Sequence, residues 1–222
     1  MEALTDEKII DFCKEQIQKE SDALLRVKSQ VDEAYAQACR AILDCKGRVI
    51  VTGLGKTGHI GKKIAATMAS LGIPAFFVHS CETLHGDMGM ITKDDLVIMI
   101  SNSGKSSEIL NMLAPLKIIG AKTISITKDK HSPLAEATDI KILCDAGPEI
   151  DHMGLAPTAS STGALAIGDA LATVVCKMRG FTKQNFALSH PGGALGQQLI
   201  KEYMAVSYTH LERKESQRRI KN

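Results

Sequence analysis

Hydroxyl side chains are concentrated in one short segment near the middle of the chain. The apolar run 96–100 predicts a strand buried on both faces, and it leads directly into the segment 101–108, SNSGKSSE. Hydroxyls beside the backbone amides of a helix start suit a phosphate monoester, which carries strong acceptor oxygens and about −2 charge. A helix N-cap alone would need only one such residue, so the segment predicts an anion site. The candidate binding residues are Ser101, Asn102, Ser103, Gly104 and Ser106.

A second candidate ligand-binding segment is the turn 53–58, GLGKTG, which follows another apolar run. It matches the G-x-G-x-x-G pattern, but dinucleotide binding also needs an acid at the tip of the second strand, which here ends in FVHS. A phosphate-binding P-loop would need glycine at position 50, which is Ile50. The remaining prediction is a glycine turn at a helix N-terminus, with Gly53 and Gly55 binding the ligand and Lys56 at the strand tip.

Titratable side chains occur in three further segments whose composition predicts loops. These segments are Glu82–Asp87, Gly147–His152 and Ser189–Gly193. A lone histidine or glutamate in a loop is most often a surface residue. Two carboxylates, two histidines and a lysine near one phosphate site nevertheless suit general acid–base chemistry on a phosphorylated sugar.

The elements that must position these residues alternate along the chain. Short runs rich in β-branched residues predict strands at 48–52, 75–78, 96–100, 122–127 and 140–144. Apolar periodicity predicts helices at 59–71, 106–119, 132–137 and 158–179. The alternation predicts an α/β fold, with right-handed crossovers and a five-stranded parallel sheet flanked by helices. Ligands of such sheets bind at the carboxyl ends of the strands, where both candidate segments lie.

The first 45 residues have a different pattern from the rest of the chain. Apolar residues recur at helical spacing over 6–45, with charged residues between them. The long apolar stripe predicts two helices that pack on the body of the protein or on another subunit.

Composition excludes several classes of protein. The chain has 222 residues, of which 44% are hydrophobic and 23% charged, so global disorder is excluded and one domain is expected. No apolar run reaches the ~18 residues of a membrane span, and no signal peptide is visible. The six cysteines form no Cys-x-x-Cys pair, which favours reduced thiols and a cytoplasmic location. A net charge of +2 is too small to indicate nucleic-acid binding.

The positive charge lies in the last residues. Residues 207–222 hold five basic and two acidic side chains, so the rest of the chain carries about −1. We expect one domain over 1–204 and a disordered basic tail over 205–222 with no part in catalysis.

Five segments together resemble the sugar isomerase (SIS) domain of arabinose 5-phosphate isomerases. They are 53–61, 76–89, 100–108, 154–162 and 188–196. The resemblance covers about residues 5–200 and implies a three-layer SIS fold. It also implies the interconversion of D-arabinose 5-phosphate and D-ribulose 5-phosphate, which feeds 3-deoxy-octulosonate for lipopolysaccharide.

The resemblance assigns roles to individual side chains. It implies that Lys56, Glu108, Glu149 and His190 take part in activity. It implies that His85 lies near the sugar ring, and that His79 can hold a zinc ion that inhibits rather than catalyses. We expect that no metal or organic cofactor is required. The resemblance further implies a homotetramer with active sites at subunit contacts and His190 supplied by a neighbour.

Aldose–ketose isomerisation needs a base for the carbon proton and a group that stabilises the enediolate oxygens. Glu149 or Glu108 is the candidate carbon base, and the residues alone do not choose between them. His190 or His85 would move protons at oxygen, and Lys56 would stabilise negative charge.

The sequence departs from the family in two places. Lys105 stands where close relatives often carry glutamate, which changes the charge beside the phosphate loop. Many relatives continue into a pair of CBS domains, so regulation through such domains is not expected here.

The alternative functions are a non-catalytic sugar-phosphate sensor and the same isomerase in a capsule or sugar-alcohol pathway. A nicotinamide enzyme is disfavoured by the missing acid.

Overall fold

A five-stranded parallel sheet forms the centre of the protein. The structure is a computed structural model, and it describes residues 4–194 and 196–204. The strands lie in the order β2-β1-β3-β4-β5, and all four neighbouring pairs are parallel. Their bounds are β1 Val49–Gly53, β2 Ala75–His79, β3 Leu96–Ile100, β4 Lys122–Thr127 and β5 Ile140–Leu143. These bounds agree with the predicted strands to within one residue.

Helices cover both faces of the sheet. The helices are α1 Asp6–Lys28, α2 Glu33–Asp44, α3 Lys56–Ser70, α4 Ser80–Thr83, α5 Ser107–Leu110, α6 Leu113–Ile119, α7 Pro133–Ala137, α8 Ala159–Met178 and α9 Lys183–Ser189. One core cluster joins α2, α3 and α8 to the sheet, and the other joins α5, α6 and α7 to its opposite face. The predicted three-layer α/β fold is therefore confirmed.

Several helix boundaries differ from the sequence expectation. The two helices expected over 6–45 are present and are separated by residues 29–32, where Asp32 takes an extended conformation and its side chain accepts a hydrogen bond from the Ala34 amide. The predicted helix 106–119 divides into α5 and α6. The segment that was expected to be a loop after β2 contains α4 and a 3-10 helix over Asp87–Met90. Helix α9 lies in a region for which no helix was predicted, and the Thr182–Asn185 capping box starts it.

Helix α8 is long and apolar enough to span a membrane on length and composition alone. Half of its apolar window is buried inside the fold, and the buried residues include Ile167, Leu171 and Val175. It packs against α1, α2 and α3. This environment is that of a core helix.

Helix α1 packs on the body of the protein through its carboxyl-terminal half, from about Gln16 onwards. Ala23 and Val27 are its buried residues. Large apolar side chains before them are exposed, namely Ile9, Ile10, Phe12 and Ile17. The expected apolar stripe is present, and most of it is not covered by residues that the structure describes.

The domain boundary at residue 204 stays a prediction. Residues 196–204 are helical, and the basic tail that was expected over 205–222 lies outside the described residues.

Gly168 allows α8 to approach α3 closely, and this contact supports a stability prediction. A Cβ at Gly168 would overlap three carbon atoms of the side chain of Ile64, which is fully buried. We expect Gly168→Ala to lower the free energy of unfolding by about 1–3 kcal/mol, measured by urea titration. Gly89→Ala is the control, because a Cβ there meets no atom within 4 Å. Equal stability of the two variants would contradict this account of the α3–α8 contact.

Candidate functional site

The candidate site lies at the point in the sheet where the strand order reverses, between β1 and β3. The chain passes from β1 to β2 on one side and then returns to place β3 on the other side of β1. Gly53 and Ile100, the last residues of β1 and β3, are partners in the sheet. The glycine turn and the hydroxyl-rich loop therefore leave the same edge side by side. The crevice between them, outside the carboxyl ends of β1 and β3, is where ligands of open α/β sheets bind.

Glycines allow helix α3 to start immediately after β1. A Cβ at Gly53 would lie 2.8 Å from the Thr57 carbonyl oxygen, and Gly55 has a φ of +57°. The Thr57 hydroxyl donates to the Leu54 carbonyl at 2.8 Å and accepts from the Leu54 amide at 3.2 Å. The turn is thus tight, and it aims the N-terminus of a 15-residue helix at the crevice.

Lys56 occupies the first position of α3 and is exposed. A cation at a helix N-terminus is opposed by the helix dipole. Among the described residues no carboxylate lies within salt-bridge distance of Lys56 to offset this cost. The lysine and the helix dipole therefore add their positive potentials at the crevice, which favours an anionic ligand.

The hydroxyl-rich loop folds back on itself at the end of β3. The buried Ser101 hydroxyl accepts from the Gly104 amide at 3.1 Å and lies 3.3 Å from the Ser106 hydroxyl. Ser103 accepts from the Lys105 amide at 3.2 Å. These hydroxyls and amides lie within one short loop. A bound phosphate could therefore replace their internal hydrogen bonds with hydrogen bonds to its own oxygens.

Gly104 is required by the shape of this loop. Its φ is +64°, and a Cβ there would overlap the side chain of Ser132. The Gly104 carbonyl accepts from the Leu134 amide at 3.1 Å, which ties the loop to α7. The Asn102 carbonyl accepts from the Lys128 amide at 3.0 Å. The loop is therefore held from two sides. Lys105, beside it, is exposed.

The N-terminus of α8 is a third part of the site, and its residues were not among the predicted site residues. A cavity of about 10 Å³ lies under the crevice, and Thr57, Asn102, Thr127 and Ser160 contribute its polar lining. Thr57 and Ser160 lie in the first turns of α3 and α8, so two helix N-termini face the same point. The hydroxyl run at 158–161 before an apolar helix was the sequence signal that could have identified Thr158 and Ser160.

Glu149 caps α8 with its carboxylate. Its Oε2 atom accepts from the Thr158 amide at 2.8 Å, the Thr158 hydroxyl at 3.1 Å and the Ser160 amide at 3.2 Å. Partial burial acts to raise the pKa of Glu149, but the hydrogen bonds from Ser160 and Thr158 together outweigh it and lower the pKa. The carboxylate is therefore ionised at neutral pH. Ser160 connects it to the cavity under the crevice.

Glu108 and His85 lie on the β2 side of the crevice. Glu108 is part of α5, is partly buried, and accepts from the Ser107 hydroxyl at 3.1 Å. His85 is exposed between α4 and the 3-10 helix, and its amide donates to the Glu82 carbonyl at 2.9 Å. Helices α4 and α5 contact each other, so both residues belong to this edge of the sheet.

His79 caps helix α4. Its Nδ1 atom accepts from the Cys81 amide at 3.3 Å, and Phe77 packs edge-on against its ring. No cluster of three or more histidine, cysteine, aspartate or glutamate side chains suited to a metal occurs in the described part of the chain. One imidazole does not fit a zinc site by itself. Zinc at His79 stays a prediction that needs ligands from elsewhere.

His190 is not brought together with the other predicted residues. Its Nε2 atom lies 3.0 Å from the hydroxyl of Ser70, the last residue of α3. Lys56 is the first residue of the same helix, and 14 steps of 1.5 Å place the two ends ~21 Å apart. Within one chain His190 is therefore remote from the crevice.

The sheet order, the crevice and the two helix N-termini define an open α/β ligand-binding domain. The SIS domain family matches residues 42–174, which is more than half of the chain. The chain belongs to this family.

Known relatives are closely similar in sequence and structure. The chain is 50% identical over 181 residues to the arabinose 5-phosphate isomerase KdsD of Pseudomonas aeruginosa, covering 82% of this chain and 56% of that protein. It is 46% identical to KdsD of Escherichia coli K12, covering 88% of this chain and 60% of that one. The chain thus spans less than two thirds of the length of these curated relatives.

Solved structures match along their full or nearly full length. The c3406 protein of Escherichia coli CFT073, solved in complex with arabinose 5-phosphate, superposes with a TM-score of 0.83 at 41% identity, covering 85% of this chain and all of that one. A candidate phosphosugar isomerase involved in capsule formation, from Bacteroides fragilis, gives a TM-score of 0.79 at 37% identity, covering 83% and 98%.

The carboxylate of Glu149 predicts a pH-dependent stability. Because its pKa is lowered in the folded state, its contribution is present above the unfolded pKa and is lost as the pH falls through the folded pKa. We expect Glu149→Gln to unfold at lower urea concentration than the wild type at about pH 7, and the difference to be smaller at about pH 3, below the ordinary pKa of a glutamate. Glu136→Gln, at an exposed position on α7, is the control. A difference that is the same at both pH values would contradict the capping role.

Proposed function

We propose that the protein is an aldose–ketose isomerase that interconverts D-arabinose 5-phosphate and D-ribulose 5-phosphate. The observation that supports this most strongly is that the hydroxyl-rich loop 101–106 lies beside Lys56 at the crevice between β1 and β3. Glu108 and Glu149 lie on either side of it. Similarity to isomerases that act on arabinose 5-phosphate supports the choice of substrate. A phosphate anchor flanked by carboxylates is what a proton-transfer enzyme for sugar phosphates needs.

The phosphate would be held by Ser101, Ser103, Ser106 and the Gly104 amide. Asn102 and the turn glycines Gly53 and Gly55 would line the approach. The phosphate does not react, so its binding energy can be used to place the sugar carbons between the catalytic groups. The rigid attachment of the loop to α7 and β4 favours this use.

The reaction moves one proton between C2 and C1 and another between their oxygens. A carboxylate takes the C2 proton of the aldose, an enediolate forms, and the same group returns the proton to C1. Glu149 is the candidate for this base, because it is ionised and its carboxylate is held in place by the amides of Thr158 and Ser160. Glu108 remains the alternative base.

Lys56 and the N-terminus of α3 would stabilise the enediolate. Both present positive potential at the crevice before the substrate arrives, so little reorganisation is needed when charge develops on the oxygens. His85 or His190 would move protons at oxygen, including those of ring opening. The proposed chemistry uses these side chains alone, with zinc at His79 as an inhibitor.

The proposed assembly is a homotetramer in which a neighbour supplies His190. Two observations support it: His190 is remote from Lys56 within the chain, and the apolar stripe on α1 is exposed. We also propose a cytoplasmic location and a role in 3-deoxy-octulosonate supply. The similarity to the Bacteroides fragilis protein makes capsule synthesis the alternative pathway.

The direct test is an isomerase assay over pentose and hexose phosphates, with and without a chelator. We expect ribulose 5-phosphate to form from arabinose 5-phosphate. Glu149→Gln and Glu108→Gln are then compared for exchange of the C2 proton with solvent, and loss of the base should lower exchange by at least about 100-fold. Binding without turnover by the wild type would favour the sugar-phosphate sensor. Near-native exchange in both variants would refute the proposed bases.

Mixing two inactive variants tests whether sites are shared. Lys56→Ala and His190→Ala each remove one part of the site. If the two parts come from different chains, an equal and random mixture of the two variants leaves about a quarter of the sites intact. We expect activity to appear after the two variants are unfolded together and refolded. Separately refolded variants, combined without exchange, are the control. No recovered activity in a mixture shown by mass to contain hybrids would contradict supply of His190 by a neighbour.

A further inference from the structure

The imidazole of His190 is held by two residues that come from different parts of the chain. Its Nδ1 atom lies 2.9 Å from the Phe186 carbonyl oxygen, and its Nε2 atom lies 3.0 Å from the Ser70 hydroxyl. The Phe186 ring stacks on the imidazole, with 3.8 Å between ring centroids and 16° between planes. Both ring nitrogens and one ring face are therefore in defined contacts, although His190 is only partly buried.

These contacts determine the tautomer of the neutral ring. A carbonyl oxygen can only accept a hydrogen bond, so Nδ1 must carry the hydrogen that it donates to Phe186. The lone pair is then on Nε2, and the Ser70 hydroxyl donates to it. A ring in this tautomer can take up a proton only at Nε2.

We propose that Ser70 and Phe186 are positioning residues for His190, and that they present its Nε2 atom as the proton acceptor in the isomerisation. This inference rests on the proposed function, because it assigns supporting residues to a histidine of that site. Phe186 fixes the tautomer and the ring plane, and Ser70 fixes the direction of Nε2.

The position of Ser70 gives this arrangement a mechanical basis. Ser70 ends the helix α3, whose neighbouring residue Met68 is fully buried, so the hydroxyl is attached to a rigid element. His190 follows the short helix α9, in which Ala187 is the buried residue. A contact between residues 120 apart in sequence thus fixes a histidine that its local segment would leave free to rotate.

The kinetic test compares Ser70→Ala with Ser70→Thr, which keeps the hydroxyl. We expect Ser70→Ala to lower kcat by about 10- to 100-fold, a part of what general acid–base catalysis supplies, with KM changed less than about twofold. Ser70→Thr should recover most of the loss. Ser29→Ala is the matched control and should match the wild type, because the Ser29 hydroxyl donates to the Arg26 carbonyl of its own helix turn.

A double variant separates positioning from a general structural effect. If Ser70 acts through His190, Ser70→Ala should lower kcat no further in a His190→Gln background. Multiplying effects in the double variant would overturn the proposal. So would a Ser70→Ala enzyme with unchanged kcat, or one whose loss is entirely in KM.

The tautomer can be measured without any turnover. In protein labelled with ¹⁵N-histidine, the resonances that disappear in His190→Gln belong to His190. At about pH 8, where a free histidine is neutral, we expect the Nδ1–H form, with the Nε2 resonance shifted in Ser70→Ala. An Nε2–H form in the wild type would overturn the proposal. If the tautomer is as expected but the wild type isomerises no sugar phosphate, the proposed function fails while the positioning of His190 stands.

Discussion

The close approach of α3 to β1 is the contact on which the site depends. Gly53 and Gly58 lie where a side chain would meet backbone atoms of the turn, and Gly61 faces the ring of Phe77. With side chains at these positions, α3 would have to move away from the sheet, and its N-terminus would no longer point into the crevice between β1 and β3. Helix α8 then packs on α3 through Gly168, so a second N-terminus reaches the same point.

Local fields, rather than net charge, suit this protein to an anionic ligand. The chain before the basic tail carries about −1, and a phosphate dianion would not be attracted by that total. At the crevice the arrangement is different, because Lys56 and two helix N-termini provide positive potential over a few ångströms. Glu149 uses part of that potential, since its carboxylate is held by the first amides of α8. A carboxylate and a phosphate can therefore lie near each other without mutual repulsion dominating.

The strands and the ligand-binding edge could be predicted because both follow from local pattern. Fully buried parallel strands such as β3 are continuous apolar runs, and polar residues at their carboxyl ends must share one edge. Helix α9 was missed although its capping box is visible at Thr182, because the short helix after it has little apolar periodicity. The capping role of Glu149 depends on the folded path of the chain between Glu149 and Thr158, which are nine positions apart in sequence. The contact of Ser70 with His190 joins segments 120 residues apart, and no local pattern contains it.

Helix α3 carries Lys56 at one end and supports His190 at the other. Under the proposed assembly these two ends serve different active sites, so each chain contributes to its own site and to that of a neighbour. A copy that has lost both ends would then disable its own site and that of a normal chain beside it. In a cell that makes both forms, such a variant would be dominant negative, and the loss of activity would exceed the fraction of defective chains.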